Sequence, residues 1–499
     1  NTKTVRKFSL ITNNNSKQDD QCPHFQLVPH SGHIEVGNYS HPEHEDQLTQ
    51  PNLNNNNKLT YNIVFVTSEA SPYSKTGGLC GSLPIALAAR GHRVMVVSPR
   101  YSSHGPFAAT ANLHCPTKVD CAGGLQDLNF FHDYRKGVDW VFVDHPCYHR
   151  PGNPYGDIYG DNQFRFTLLC HAACEAPLGG FTYGQNCLFL ANHCHAGLVP
   201  VLLAAKYRPH RIYKNARSII LIHNLAHQGV EAASTYCNLG LPWEWYGALE
   251  WIFPTWARTH ALDTDQAVNI LKGAIVTADR ILTVSEGYAR EITTQKVDMG
   301  SQMALMLLNA IHPLMSIYTS SHYTADDLSG KVMECKLALQ KELGLPIQPD
   351  CPLNGMEVRV IHCWMNEDGI LFQAGNISSF YDVCDILLMP SRFEPCGLNQ
   401  LHAMRYGTVP VVNGIGGLRE IFKTFNPYAE GEGEGTGWAF SRLTRECMLE
   451  AVRVATKTYR EHKTSWEGLM KRGMESDCSW DNVALQYEQV FQWTLLTSN

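Results

Sequence analysis

Short runs of apolar, β-branched residues recur along this chain, each followed by a turn and an apolar helical stretch. The first is Asn62–Thr67 (NIVFVT), the mark of a strand buried on both faces. A turn-rich segment, Ser68–Cys80, leads to an apolar helix over Leu83–Arg90, with Ser82 placed to cap it and Pro84 in its first turn. Gly91 stops that helix and Val94–Ser98 is the next strand. This βαβ unit builds parallel sheets, with ligand sites at the carboxyl ends of the strands. The alternation continues through strands at Trp140–Asp144, Leu188–Asn192, Ser218–His223 and Arg280–Val284, with helices at Asn162–Glu175, Ala196–Lys206 and Leu271–Ala278. It resumes near Met356, with strands at Asp385–Met389 and Thr408–Val412 and helices at Leu398–Tyr406 and Met448–Tyr459. With 499 residues, the chain exceeds what one hydrophobic core supports. The fold class is therefore α/β, two Rossmann-like domains facing each other across a cleft.

The expected organisation is a leader over residues 1–60, a first domain over 61–290, an interdomain segment over 291–350, a shortened second domain over 351–460 and a helical segment over 461–499. The leader carries ten Asn and five His with little apolar periodicity, and reads as disordered. The chain starts at Asn1, so a targeting segment cannot be read. A formal net charge of −7 argues against nucleic-acid binding, and no apolar run is long enough to span a bilayer. The 17 cysteines are scattered singly, as small buried hydrophobes in a reducing compartment are.

Three loops carry chemistry. Lys75-Thr76-Gly77-Gly78 follows the first strand, with glycines that let backbone approach a ligand and a lysine suited to phosphate. Glu394-Pro395-Cys396-Gly397-Leu398 follows a buried strand and opens a helix, setting a carboxylate beside free amides. Gly416-Gly417-Leu418 repeats the strand–glycine–helix arrangement. Three such elements on the carboxyl edges of two facing sheets point to a nucleotide-sugar cleft.

On these residues the chain resembles the plant soluble starch synthases of class I, relatives of bacterial ADP-glucose glycogen synthases. The carrying segments include SEASPYSKTGGL (68–79), IHNLAHQGV (222–230), LEWIFPTWARTHALD (249–263) and DILLMPSRFEPCGLNQL (385–401). The resemblance implies the GT-B fold and transfer of glucose from ADP-glucose to the non-reducing end of an α-1,4-glucan, with retention and without metal or other cofactor. It implies amylopectin and maltooligosaccharides as acceptors, a plastid (chloroplast or amyloplast) location, and other starch-biosynthetic enzymes as candidate partners. By the same resemblance Lys75 lies at the phosphates or acceptor cleft, and His195 near the transferred glucose. His223 and Asn224 line the same wall, Glu394 with the backbone of Cys396, Gly397 and Leu398 grips the glucose hydroxyls, and Gly416 and Gly417 approach the donor phosphates.

Three departures from the family pattern stand out. The loop after Leu79 is three residues short and lacks the family's aspartate. The family's Asn-Asp-Trp-His reads Asn192-His193-Cys194-His195; two histidines on a strand end do not make a metal set, and none is expected. The stretch at 353–365 lacks the family's lysine, with Arg359 aligned to its arginine, and about 50 residues of the family pattern are missing before Asp382. The alternative expectation is accordingly a degenerate, weak or inactive relative, or a mis-assembled coding sequence, that binds glucan or partner enzymes.

Overall fold

The computed structural model describes residues 52–53, 59–74, 78–102, 104–113, 115–150, 154–155, 160–179, 181–252, 266–293, 336–337, 340–341, 347, 352–356, 384–419, 423–426 and 434–496. The leader lies outside them apart from β1 (Asn52–Leu53) and β2 (Leu59–Thr60), which pair antiparallel.

The first large sheet begins with β3 (Asn62–Val66) and β4 (Arg93–Pro99). It adds β5 (Ala111–Asn112), β6 (Thr117–Cys121), β7 (Gly124–Arg135), β8 (Val138–Asp144), β9 (Cys187–Asn192) and β10 (Arg217–Ile222). A small sheet holds β11 (Val230–Ala232), β12 (Glu250–Ile252) and β13 (Gln266–Asn269), and β14 (Arg280–Thr283) returns to the large one. The large sheet runs β14-β10-β9-β3-β4-β8-β7-β5, with β6 beside β7. Its pairings are parallel from β14 through β8. The chain winds outward from β3 through β4 to β8, then returns to β9 on the other side of β3. That reversal is a topological switch point, and it opens a crevice at the carboxyl ends of β3 and β9.

Two core clusters cover the faces of this sheet. One, around Val64, Val66, Phe189 and Ile220, packs the helix Asn162–Glu175. The other, around Ile63, Phe65, Leu83 and Leu87, is completed by Val483, Ala484, Tyr487, Val490 and Phe491 of the final helix, Trp480–Leu496. Arg90 and buried His92 fasten that helix through Glu488, at 2.7 and 2.8 Å.

The second sheet is parallel throughout: β15 (Asn354–Met356), β16 (Ile386–Met389), β17 (Val409–Asn413) and β18 (Trp438–Phe440). Trp438, Tyr459, Trp466 and Leu469 fill its core with the helices Arg445–Glu461 and Lys463–Glu475. Lys336 is fully buried there, 2.8 Å from Asp385 and 2.7 Å from Tyr459 Oη. The arrangement of two Rossmann-like sheets is the expected one.

Three local expectations need correction. The first helix spans Gly78–Ala89, so Ser82 lies inside it and does not cap it, and Pro84 sits in its interior. The helix expected over Ala196–Lys206 is broken into His193–Ala196, Leu198–Leu202 and a wide turn over Leu203–Tyr207. His193 opens a helical turn and is not a strand end, because β9 stops at Asn192. The antiparallel β6–β7 hairpin and the small sheet were not expected.

Candidate active site

The switch-point crevice is walled by the segments that leave β3, β9 and β10. Asn192, the last residue of β9, is 3 % exposed and ties the wall together. Its amide nitrogen donates to Val66 O at 3.2 Å, and its Oδ1 lies 3.3 Å from His223 Nε2. His193 then takes φ = +63°, a left-handed conformation that is costly for a residue with a side chain. Its ring centre stands 5.5 Å from that of His195 and 6.2 Å from those of His223 and His227. The His195 ring packs on Phe166 at 4.4 Å and Tyr155 at 4.9 Å, and the Tyr155 hydroxyl meets Ser68 Oγ at 2.8 Å.

Burial drives the titration of these rings. It pushes His223 down to about 4. For His195 burial, reinforced by His227 and His223, also gives about 4. His193 falls well below its ordinary value for the same reasons. At neutral pH the wall therefore presents uncharged imidazoles, able to donate at one nitrogen and accept at the other. Asn224 folds the next turn by accepting from the Ala226 amide at 2.9 Å, and the Tyr288 hydroxyl accepts from the Leu225 amide at 2.8 Å.

The opposite wall is the loop after β16. Glu394 is 4 % exposed; its Oε1 accepts from the Gly397 amide at 3.2 Å, which caps the turn into the helix Leu398–Arg405. Gly397 supplies φ = +77°. Cys396 and Leu398 pack against the core of the first sheet. The loop after β17 lies underneath. A Cβ on Gly416 would stand 2.3 Å from Glu394 O, and one on Gly417 2.2 Å from Cys396 O, so neither position has room for a side chain. The Gly417 amide donates to Glu394 O at 3.0 Å.

The two walls are latched. Ser285, two residues past β14, caps the helix Glu286–Ile292 and donates to Pro395 O at 2.7 Å. The Gly416 amide donates to Glu291 Oε1 of that helix at 2.7 Å, and the Tyr288 ring meets Phe393 edge-on at 5.8 Å.

Of the residues singled out from sequence, His195, His223 and Asn224 thus share one wall, while Glu394, Cys396, Gly397, Leu398, Gly416 and Gly417 form the other. Gly78 begins the first helix. Lys75, Gly77 and Arg359 lie outside the described residues. Among the described residues no group of His, Cys, Asp and Glu is arranged to hold a metal. No described helix is long and apolar enough to cross a membrane. Sequence reasoning missed Glu291 and Tyr288, which act across the cleft on partners distant in the chain. It missed Tyr155 and Phe166 as the rings that hold His195, and His227 as a neighbour of the cluster.

Comparison with known proteins meets this geometry. The family described as "Starch synthase catalytic domain" matches residues 62–307, and "Glycosyl transferases group 1" matches 368–442. Soluble starch synthase 1, chloroplastic/amyloplastic, of Solanum tuberosum is 55% identical over 551 aligned positions, covering 95% of this chain and 86% of the relative. Those positions outnumber the 499 residues here, so internal stretches of the relative have no counterpart. Starch synthase 1, chloroplastic/amyloplastic, of Arabidopsis thaliana is 56% identical, covering 88% of this chain and 78% of the relative. The catalytic domain of starch synthase IV from Arabidopsis thaliana, solved with ADP and acarbose, superposes with TM-score 0.71 at 23% identity over 87% of this chain and 99% of that one. That likeness shows the two-domain GT-B fold. Identity at the level of the first two relatives, over nearly the whole chain, does not favour the degenerate alternative. The chain belongs to the starch synthase family of glycosyltransferases.

Proposed function

We propose that this chain transfers glucose from ADP-glucose to the non-reducing end of an α-1,4-glucan, retaining the anomeric configuration, within a plastid. The observation that supports it most is the latched crevice: neutral imidazoles on one side, and on the other a carboxylate-capped loop at a helix N-terminus. In this reading His195 and His223, uncharged at neutral pH, bind hydroxyls of the transferred glucose without repelling a developing positive centre at its anomeric carbon. Glu394 holds the 394–398 loop so that its backbone faces the sugar, and Gly416 and Gly417 bring backbone close to the diphosphate. Lys75 and Arg359 supply charge at the phosphates. Arg392, exposed just beyond the carboxyl end of β16, is assigned the same role in this reading, while Arg419 already donates twice to Gly414 O, at 2.9 and 2.7 Å. The family resemblance supports a reaction without metal, so chelation with EDTA should leave the rate unchanged.

The test is incorporation of labelled glucose from ADP-glucose into glycogen. Glu394→Ala should lower kcat about 10²–10³-fold, the usual cost of disturbing a preorganised donor set. A wild-type chain that incorporates no label, or incorporation indifferent to Glu394→Ala, would reject the reading.

A further inference from the structure

The final helix lays one stripe on the first sheet: Val483, Ala484, Tyr487, Val490 and Phe491, spaced as a helix spaces its buried face. Tyr487 is the member of that stripe with a polar side-chain atom. It is 1 % exposed, and its hydroxyl has no hydrogen-bond partner among the described residues. Trp480, seven residues earlier and on the same face, buries its indole N–H in the same condition. Phenylalanine would fill the Tyr487 site at less cost, because a buried hydroxyl left unpaired gives up its bonds to water and gains none. The ring is also held firmly. Glu488, the next residue, accepts from Arg90 at 2.8 and 2.7 Å and lies 2.8 Å from His92 Nε2. Phe491 meets Tyr487 edge-on at 5.9 Å and Tyr61 at 5.7 Å.

This hydroxyl stands at a junction. Tyr487 shares a core with Leu79 and Cys80, in the first turn of the first helix, and Cys396 and Leu398 of the loop after β16 pack against that core. Burial pushes the phenol well above its ordinary value, and the nearby Cys80 and Cys396 thiols push it further. At neutral pH it is therefore a proton-bearing donor. On its other sides the 394–398 loop is held by hydrogen bonds, from Ser285 Oγ to Pro395 O and from the Gly417 amide to Glu394 O. On the side of the final helix it meets an apolar core that contains the unpaired hydroxyl.

We propose that Tyr487 is a positioning residue for the donor: when ADP-glucose settles the 394–398 loop, the Tyr487 hydroxyl pairs with Cys396 and fixes that loop against the first helix. The proposal deepens the transferase reading above and rests on it. The loops that follow β3 and β16 are then tied through a third element, the last helix of the chain, which Glu488 anchors to the first domain. The bond missing from the free protein forms with donor in place, so it favours the donor-bound state over the free one.

The experiment compares full-chain Tyr487→Phe with wild type in thermal unfolding, with and without ADP-glucose, and in label incorporation into glycogen. Without ligand, Tyr487→Phe should unfold at the wild-type temperature or above, since it discards a group that is unpaired in the free protein. Its KM for ADP-glucose should rise about three- to tenfold, the worth of one hydrogen bond, with kcat and KM for glycogen unchanged. The gain in unfolding temperature from ADP-glucose should shrink accordingly. Phe491→Leu, which loosens the packing of the same helix, should lower the midpoint and leave KM for ADP-glucose where it was. A wild-type KM in Tyr487→Phe, or an equal rise of KM in Phe491→Leu, would overturn the positioning role and leave the transferase reading standing. If ADP-glucose stabilises wild type more than Tyr487→Phe but wild type transfers nothing, the positioning role stands and the transferase reading falls. A wild type that neither transfers nor is stabilised by ADP-glucose would overturn both.

Discussion

Gly416 and Gly417 show how one missing atom organises this cleft. Each lies where a Cβ would run into the carbonyl of Glu394 or Cys396, so an alanine must push the two loops apart. Gly417→Ala is expected to destabilise the folded chain by about 1–3 kcal/mol, as overpacking does, and to abolish transfer. Thermal unfolding and label incorporation, measured together, check both outcomes. The imidazole wall yields a second expectation. His223 and His195 titrate near 4 when folded but near 6.5 when unfolded, so the unfolded chain takes up protons first as pH falls. Their contribution to stability is complete above about pH 6.5 and is lost as pH falls towards 4. Unfolding midpoints recorded from pH 7.5 to 4 should fall over that window, and His223→Gln should flatten the fall. The sequence pointed to both histidines and both glycines through motifs. It did not disclose that the glycines serve a loop-on-loop contact, because a spatial neighbour as far along the chain as Glu394 is from Gly416 leaves no local pattern.

At the scale of elements, the longer parallel strands were legible because burial on both faces writes an unbroken apolar run, as in Asn62–Val66, whereas β18, parallel but only three residues long, was not. The β6–β7 hairpin was not, since β7 carries polar residues such as Asp127, Asn129 and His132 among its apolar ones. The strands of the small sheet were missed because they are three or four residues long, too short to show a period. The final helix is legible as a helix, yet its destination on the first sheet depends on Glu488 finding Arg90 and His92. Glu488→Ala leaves those two partners without this carboxylate in a mostly buried setting. It should cost on the order of 1–3 kcal/mol, read as a lower unfolding midpoint in denaturant.

For the whole molecule, the latch between the sheets sets how the cleft opens. Long-range hydrogen bonds hold it at the helix Glu286–Ile292: Ser285 to Pro395 and Glu291 to Gly416. Ser285→Ala with Glu291→Gln should shift the population towards an open form. Small-angle scattering should then report a larger radius of gyration, and KM for ADP-glucose should rise more than kcat falls. A second consequence concerns dissection. A fragment ending near residue 290 would strip Val483, Tyr487 and Phe491 from the face lined by Ile63, Phe65 and Leu87. Limited proteolysis should therefore leave a core in which a C-terminal peptide containing 480–496 stays bound to the first domain. Recovery of 61–290 alone as a stable, monodisperse species would contradict this.

That closing helix also imposes an order on biosynthesis. The strand it covers leaves the ribosome about 400 residues before the helix does, which at 5–20 residues per second is an interval of roughly 20–80 s. During it, the face lined by Ile63 and Phe65 is covered from its own chain by Leu83 and Leu87 of the first helix but not yet by Val483, Tyr487 and Phe491. The core of the first domain is therefore complete only once residues 480–496 have been made, long after its last strand.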